Sequence, residues 1–246
     1  MKKLLIISVL FIILSVFFIS PAQAQNNSAD VALIWEAVSY TPPFYKGKAL
    51  NPNQGTVVVV AIPEISTETG QKIKTSDLNY RWYKNDILQN SSSGVGKNHF
   101  TFSGSVPIRD ITIKVIISTL DQKVTIEKSV TITNVPPKII FYENSPIYGL
   151  VFNRAIKNSV KMMADEFGIK AFPYFMSIDE AQNANLDYTW TINNRASSGL
   201  DTDKTAMLFR QEIAGSGTTN VNLKIQNNSR IFQFTDNSFI INFEKQ

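Results

Sequence analysis

The residues that could do chemistry in this chain are few, and their spacing limits what that chemistry could be. His99 is the only histidine. A serine–histidine–aspartate triad would have to use it, yet it sits between Asn98 and Phe100 at what reads as a strand edge. One imidazole and no cysteine exclude a histidine-rich or cysteine-ligated metal site. Asp201 and Asp203 are the weak metal candidates, because two carboxylates at alternate positions could face calcium, but the rest of a calcium-loop pattern is missing. Asp165-Glu166 and Asp179-Glu180 are adjacent pairs, not a facing acid and base. Gly94-Val95-Gly96-Lys97 fails the spacing of a phosphate loop and has Asn98 where a hydroxyl residue belongs, so it reads as a hairpin loop. The expectation is a chain with no catalytic residue, no cofactor and no enzyme activity.

The elements around these residues begin with a leader. Met1-Lys2-Lys3 is cationic, Leu4 to Ile19 is apolar apart from two serines, Pro21 breaks the run, and Ala22-Gln23-Ala24 puts small residues before Gln25. This is the three-part pattern of a signal peptide over 1–24. The competing reading is an uncleaved anchor formed by residues 4–20. Both predict export of residues 25–246 to the periplasm, cell surface or exterior, with membrane contact only through the N-terminal segment. Without Lys2 and Lys3 the chain has 22 basic and 20 acidic residues, which predicts no nucleic-acid footprint.

The remainder reads as one unit written twice. Leu78-Asn79-Tyr80-Arg81-Trp82 returns as Leu186-Asp187-Tyr188-Thr189-Trp190, and Ile113, Val115 and Ile117 answer to Val221, Leu223 and Ile225. Ala61-Ile62-Pro63 answers to Ala171-Phe172-Pro173, Ile34-Trp35-Glu36 to Phe141-Tyr142-Glu143, and Val124 and Ile126 to Phe232 and Phe234. Asn134-Val135-Pro136-Pro137 marks the junction, giving domains 25–134 and 135–246. Apolar residues alternate through both copies, and turn residues punctuate them. Short strands without intervening helices predict an all-β fold of two tandem antiparallel sandwiches. Ile156, Val160, Met163 and Phe167 have helical spacing, but the matching Asn51-Pro52-Asn53-Gln54-Gly55 cannot be helical, which leaves an edge strand or a single helical turn.

The Tyr-x-Trp strands, followed by Ile111-Thr112-Ile113-Lys114-Val115 and by Asn220-Val221-Asn222-Leu223-Lys224, resemble bacterial immunoglobulin-like domains, nearest in flavour to the polycystic-kidney-disease (PKD) type. The usual Gly-Asp-Gly after the tryptophan strand is replaced here by Asn85-Asp86 and Asn193-Asn194. The resemblance implies a secreted or surface protein used for adhesion, spacing or assembly.

Read physically, Trp82, Trp190, Tyr80 and Tyr188 are core candidates, with the large rings filling the gap between two sheets. Trp35, Tyr40, Phe44 and Tyr45 form an aromatic–proline stretch that either closes a sandwich end or offers a patch to a partner. The functional expectation is a non-catalytic structural or adhesive protein, whose partner is an envelope protein or a polysaccharide. A carbohydrate- or calcium-binding module and a subunit of an envelope or pilus-type assembly are the alternatives.

Overall fold

A computed structural model describes residues 29–67, 69–178, 185–211 and 215–244. The leader expected over 1–24 and Asp179-Glu180 lie outside the described residues. Among those described there is no α-helix, and no helix long and apolar enough to cross a membrane.

The first half contributes β1 (Ala29–Ala37), β2 (Thr56–Ile65), β3 (Asn79–Lys84), β4 (Ile87–Leu88), β5 (Gly94–Val95), β6 (His99–Ser103), β7 (Ile111–Ser118) and β8 (Thr125–Ile132). One sheet runs β1-β2-β6 and the facing sheet β4-β3-β7-β8, with β5 also on β3. The second half contributes β9 (Lys138–Ser145), β10 (Gly149–Ile156), β11 (Ser159–Met162), β12 (Glu166–Tyr174), β13 (Leu186–Ile192), β14 (Arg195–Ser197), β15 (Ala206–Arg210), β16 (Gly217–Asn227) and β17 (Phe234–Phe243). Its sheets run β10-β9-β12-β15 and β11-β17-β16-β13-β14. The fold is two tandem Ig-like sandwiches, antiparallel throughout except where β11 lies parallel to β17.

Strand period two explains the inside of each sandwich. Val57, Val59 and Ala61 of β2 are fully buried against Tyr80 and Trp82 of β3 and Val115 of β7. A separate core gathers Phe141, Ile169, Trp190, Leu223 and Phe239. No residue belongs to both clusters.

The duplication extends to single hydrogen bonds. The indole Nε1 of Trp82 donates to the Lys97 carbonyl at 2.9 Å, and that of Trp190 to the Lys204 carbonyl at 2.9 Å. Asn85 and Asp86 have φ of 48° and 63°, and Asn193 and Asn194 have φ of 49° and 64°. Both pairs are two-residue hairpin turns with positive φ throughout, a conformation asparagine and aspartate tolerate better than most residues. In each, the first asparagine side chain accepts from the facing strand at 2.9 Å, from Thr112 N–H in one copy and Asn220 N–H in the other.

Strand pairing corrects the repeat at two places. Leu33 faces Ala61 as Phe141 faces Ala171, so Leu33, not Ile34, is the counterpart of Phe141. Ile117 faces Ile126 and Ile225 faces Thr235, so the last strand carries one extra residue and Phe234 turns outward. A shift of one residue exchanges the two faces of a strand, which sequence matching alone does not detect.

The ambiguous segment is strand: Ile156 ends β10, Val160 and Met162 lie on the added edge strand β11, and Phe167 sits in β12. Met163 falls in the turn after β11, and the helical spacing is an accident of three strands and the turns between them.

Candidate functional site

The chain leaves β1 at Ala37 and enters β2 at Thr56, returning to the first sandwich on the way where Ala37 N–H donates to the Ala49 carbonyl at 3.1 Å. The connection between them crosses onto the second sandwich, and this junction is where the sequence-singled residues and the polar groups converge. Tyr40 N–H donates to the Met176 carbonyl at 2.7 Å, and Phe175 N–H donates to the Tyr40 carbonyl at 2.8 Å. Phe175 holds φ at 61°, a left-handed conformation that costs an L-residue on the order of 1 kcal/mol. The bond to Tyr40 is made by that same residue.

Gln233 is the hub of the other side. It is fully buried at the turn into β17. Its Oε1 accepts from Ser177 N–H at 3.0 Å and from Asn227 Nδ2 at 3.2 Å. Its Nε2 donates to the Asn53 carbonyl at 2.6 Å and to Ser177 Oγ at 2.7 Å. A buried primary amide with all four positions used is a satisfied network, and it spans both halves of the chain. Around it Asn53 Nδ2 donates to the Phe232 carbonyl at 3.1 Å, Phe232 N–H to Gln54 Oε1 at 3.2 Å, and Arg230 Nη1 to the Gln54 carbonyl. At the covalent junction Val135 N–H donates to the Asn51 carbonyl at 2.9 Å, and Asn51 Nδ2 to Asn134 Oδ1 at 3.0 Å.

The aromatic stretch meets the second half rather than solvent alone. The Phe44 ring lies 4.4 Å from that of Phe152, which itself rests on Tyr142 at 5.2 Å and Phe172 at 5.4 Å. Tyr45 meets Tyr174 and Phe175 edge-on at 5.8 and 5.9 Å. Tyr40, Phe44 and Tyr45 therefore line an intrachain contact, while Phe44 stays 64% exposed. Trp35 stays on the first sandwich, with Lys48 Nζ 3.2 Å from its ring centroid, and burial lowers the pKa of that ammonium.

Asp203 also lies near the junction. Lys170 Nζ is 2.8 Å from its Oδ2, while Thr205 Oγ1 and N–H donate to its Oδ1 at 2.6 and 3.0 Å. Burial opposes ionisation, but these three donors outweigh it and hold the carboxyl below its ordinary range. Its oxygens are thus committed, and Asp201 is exposed in the adjacent turn. No group of three or more His, Cys, Asp or Glu side chains that could hold a metal occurs among the described residues.

The two tyrosines differ. Tyr80 is fully buried and its hydroxyl donates to the Thr75 carbonyl at 3.0 Å. Tyr188 is half-buried, packed against its core and turned toward the junction. Burial first, then the charge of Asp203 and the neighbouring Tyr40, pushes its phenol up to about 12. His99 lies exposed on the outer face of β6, and Lys97 of the glycine loop donates to the Ser91 carbonyl at 2.7 Å. Glu166 is paired with Arg210 at 2.7 Å.

At the far pole of the first sandwich an open cavity of about 500 Å³ is lined by Ile73, Leu120 and Val124, with hydroxyls and carboxylates of Ser66, Thr67, Asp77, Thr119 and Asp121 among its polar groups. Hydrogen bonds from Thr119 and the Lys123 backbone hold the Asp121 carboxyl below its ordinary range. Most of its lining surface is apolar, and no aromatic ring contributes to it.

Sequence reasoning missed Gln233, Asn53 and Gln54. Gln233 lies between Phe232 and Phe234, where alternation suggests an outward polar residue between inward rings. The structure reverses that order. The one available signal was the turn-rich Asn51-Pro52-Asn53-Gln54-Gly55, too long and polar for a plain strand connection.

No protein-family model matches the chain, and no curated protein matches it. Solved structures similar to it include fibronectin(III)-like modules of Clostridium thermocellum CbhA, 12% identical over 87% of this chain and 94% of that one, with a TM-score of 0.28. Sidekick-1 immunoglobulin domains 1-4 are 9% identical over 87% and 74%, with a TM-score of 0.27. The Bacteroides ovatus SGBP-B of a mixed-linkage glucan utilization locus, in complex with a mixed-linkage heptasaccharide, is 10% identical over 89% and 72%, with a TM-score of 0.24. Likenesses this distant establish neither a family nor a function.

Proposed function

We propose that the chain is a non-catalytic, exported structural and adhesive protein of the cell surface or its surroundings. It is built from two Ig-like modules, 25–134 and 135–246, of PKD flavour. The observation that carries this reading is the clasp around Gln233. A buried, fully satisfied amide joining two separate cores holds two sandwiches at one angle, which suits a spacer. The chemistry-bearing side chains support it too: the carboxylates of Asp203 and Glu166 are occupied by cations, and His99 stands alone. The partner is an envelope protein or polysaccharide.

The test is recovery of the tagged chain from its own cells, followed by capture from envelope extract. Export and co-purification of one envelope component are expected. A chain that stays in the cytoplasm and captures nothing there sinks the reading.

A carbohydrate-binding role is the second reading, favoured by the recess where the polar groups of Ser66, Thr67 and Asp121 stand beside the apolar Ile73, Leu120 and Val124. A thermal-shift series with envelope glycans and with calcium tests it, with Thr67→Val and Asp121→Ala abolishing any shift.

A further inference from the structure

The two copies differ in one respect that the repeat makes visible. By strand register, Ile34 and Ile62 stand on the outer face of β1 and β2 where Tyr142 and Phe172 stand on β9 and β12. In the second copy that face is covered: Phe152 lies on Tyr142 and Phe172, Phe44 lies on Phe152, and Phe172 is only 3% exposed. In the first copy Ile34 is 56% and Ile62 45% exposed, with Val58 and Val60 half-buried between them. The reason is topological. The first copy sends its β1–β2 connection, Phe44 included, onto the second copy and keeps no lid for itself.

The second copy has the converse surplus. The counterpart of the β1–β2 connection is the β9–β12 connection, which opens with the β9–β10 hairpin. The tip of that hairpin carries Ile147 at 83% and Tyr148 at 82% exposure. An acceptor face without a donor thus lies in the first copy, and a donor tip without an acceptor in the second. Charge agrees. The bare face is flanked by Asp30, Glu36 and Glu64, all exposed on the same side of β1 and β2, with Glu64 3.9 Å from Lys72. The donor connection carries the exposed Arg154 and Lys157 against the single acid Asp165, with Lys161 already paired to Glu244 at 2.7 Å, as the intrachain donor carries Lys46 and Lys48 against none.

We propose that this chain associates head-to-tail with a second copy of itself, the Ile147–Tyr148 tip of one copy seating on the Ile34–Ile62 face of the next. The contact is heterologous, so it leaves a free face at one end and a free tip at the other and propagates. It deepens the structural-module reading and rests on it for the two-copy architecture. It lacks the backbone clasp of the intrachain junction. The stretch equivalent to Phe175–Ser177 is closed on itself in the first copy, by Ile73 N–H to the Ile65 carbonyl and Thr67 N–H to the Gln71 carbonyl, both at 2.9 Å. Association is therefore carried by side chains alone and depends on protein concentration.

Sedimentation velocity of the purified chain over a wide concentration range tests this, with a face variant (Ile34→Glu with Ile62→Glu) and a tip variant (Ile147→Ser with Tyr148→Ser). All four positions are exposed, so both variants are expected to melt with the parent chain. The parent chain forms a concentration-dependent series of oligomers. Each variant alone is monomeric, and an equal mixture forms one-to-one dimers that grow no further, because only one intact face meets one intact tip. A parent chain that stays monomeric throughout, oligomers that both variants leave unchanged, or a mixture that stays monomeric each overturns the proposal. Self-association without an envelope partner would retain this inference and sink the adhesive reading, and a monomer that captures an envelope component would do the reverse.

Discussion

The side-chain amide of Gln233 in the second sandwich donates to the main-chain carbonyl of Asn53 in the first at 2.6 Å, while the same side chain holds Ser177 and Asn227 within its own half. One residue thereby closes the second copy and ties it to the first.

Replacing Gln233 with leucine leaves the Ser177 N–H, the Asn227 amide and the Asn53 carbonyl without their partner. Stranded buried polar groups cost about 1–3 kcal/mol each. Gln233→Leu is expected to lower the unfolding free energy by at least about 2 kcal/mol and to broaden the distribution of inter-module distances in small-angle scattering. An unchanged scattering profile and melting curve would show that the amide does not fix the angle.

The two tryptophans should behave alike but locally. Both rings are fully buried, with matched indole hydrogen bonds. Truncating a buried tryptophan costs about 3–5 kcal/mol. Trp190→Ala is expected to remove amide-exchange protection from β13 and β16 while β3 and β7 stay protected, and Trp82→Ala to give the mirror result. Equal loss in both halves after either substitution would contradict two independent cores.

The asparagine turns offer a paired test of the duplication. A β-branched residue at φ near 48° is strained and also loses the bond to the facing strand. Asn85→Val and Asn193→Val are each expected to destabilise by about 2 kcal/mol, whereas glycine at either position is nearly neutral to the backbone. Denaturant titration of the four variants reads this directly.

Alkaline pH should weaken the fold. Burial pushes Tyr80 and Tyr188 up to about 12, above the ordinary phenol value of 10. In that interval the unfolded chain has released protons that the folded chain still holds. Stability is therefore fully present below pH 10 and declines as pH rises toward about 12. Asp203 acts at the other end: its lowered carboxyl contributes stability above the ordinary carboxylate range, lost on acidification through its folded value. Phenolate absorbance alongside a pH series of thermal melts measures both, and Asp203→Asn should flatten the acid limb.

Much of the fold was legible because period-two burial is a strong signal. Val57, Val59 and Ala61, or Val221, Leu223 and Ile225, announce a strand and its inner face. Register was less so: Ile34 aligns with Phe141 as an apolar residue before an aromatic one, yet it points away from the core. The junction was the least legible. Its energetics rest on Gln233, Asn53 and Gln54, polar residues whose burial depends on contacts made 180 residues apart in the chain. No local pattern encodes such a contact. Tyr40, Phe44 and Tyr45 read as either a sandwich end or a patch for a partner, and their contact with the second half of the same chain was not legible.

The strand β11 gives the second sandwich a mechanical property. It pairs with β17 from Ser159–Ile240 to Met162–Phe243, so β17 is gripped on both flanks, by β11 on one side and β16 on the other. Tension arriving through Phe243 would load both ladders lengthwise and together rather than peeling one bond at a time. The counterpart strand in the first sandwich, β8, is gripped only by β7. Under a pulling force the two halves should therefore yield in a set order, the first sandwich giving way while the second still bears load.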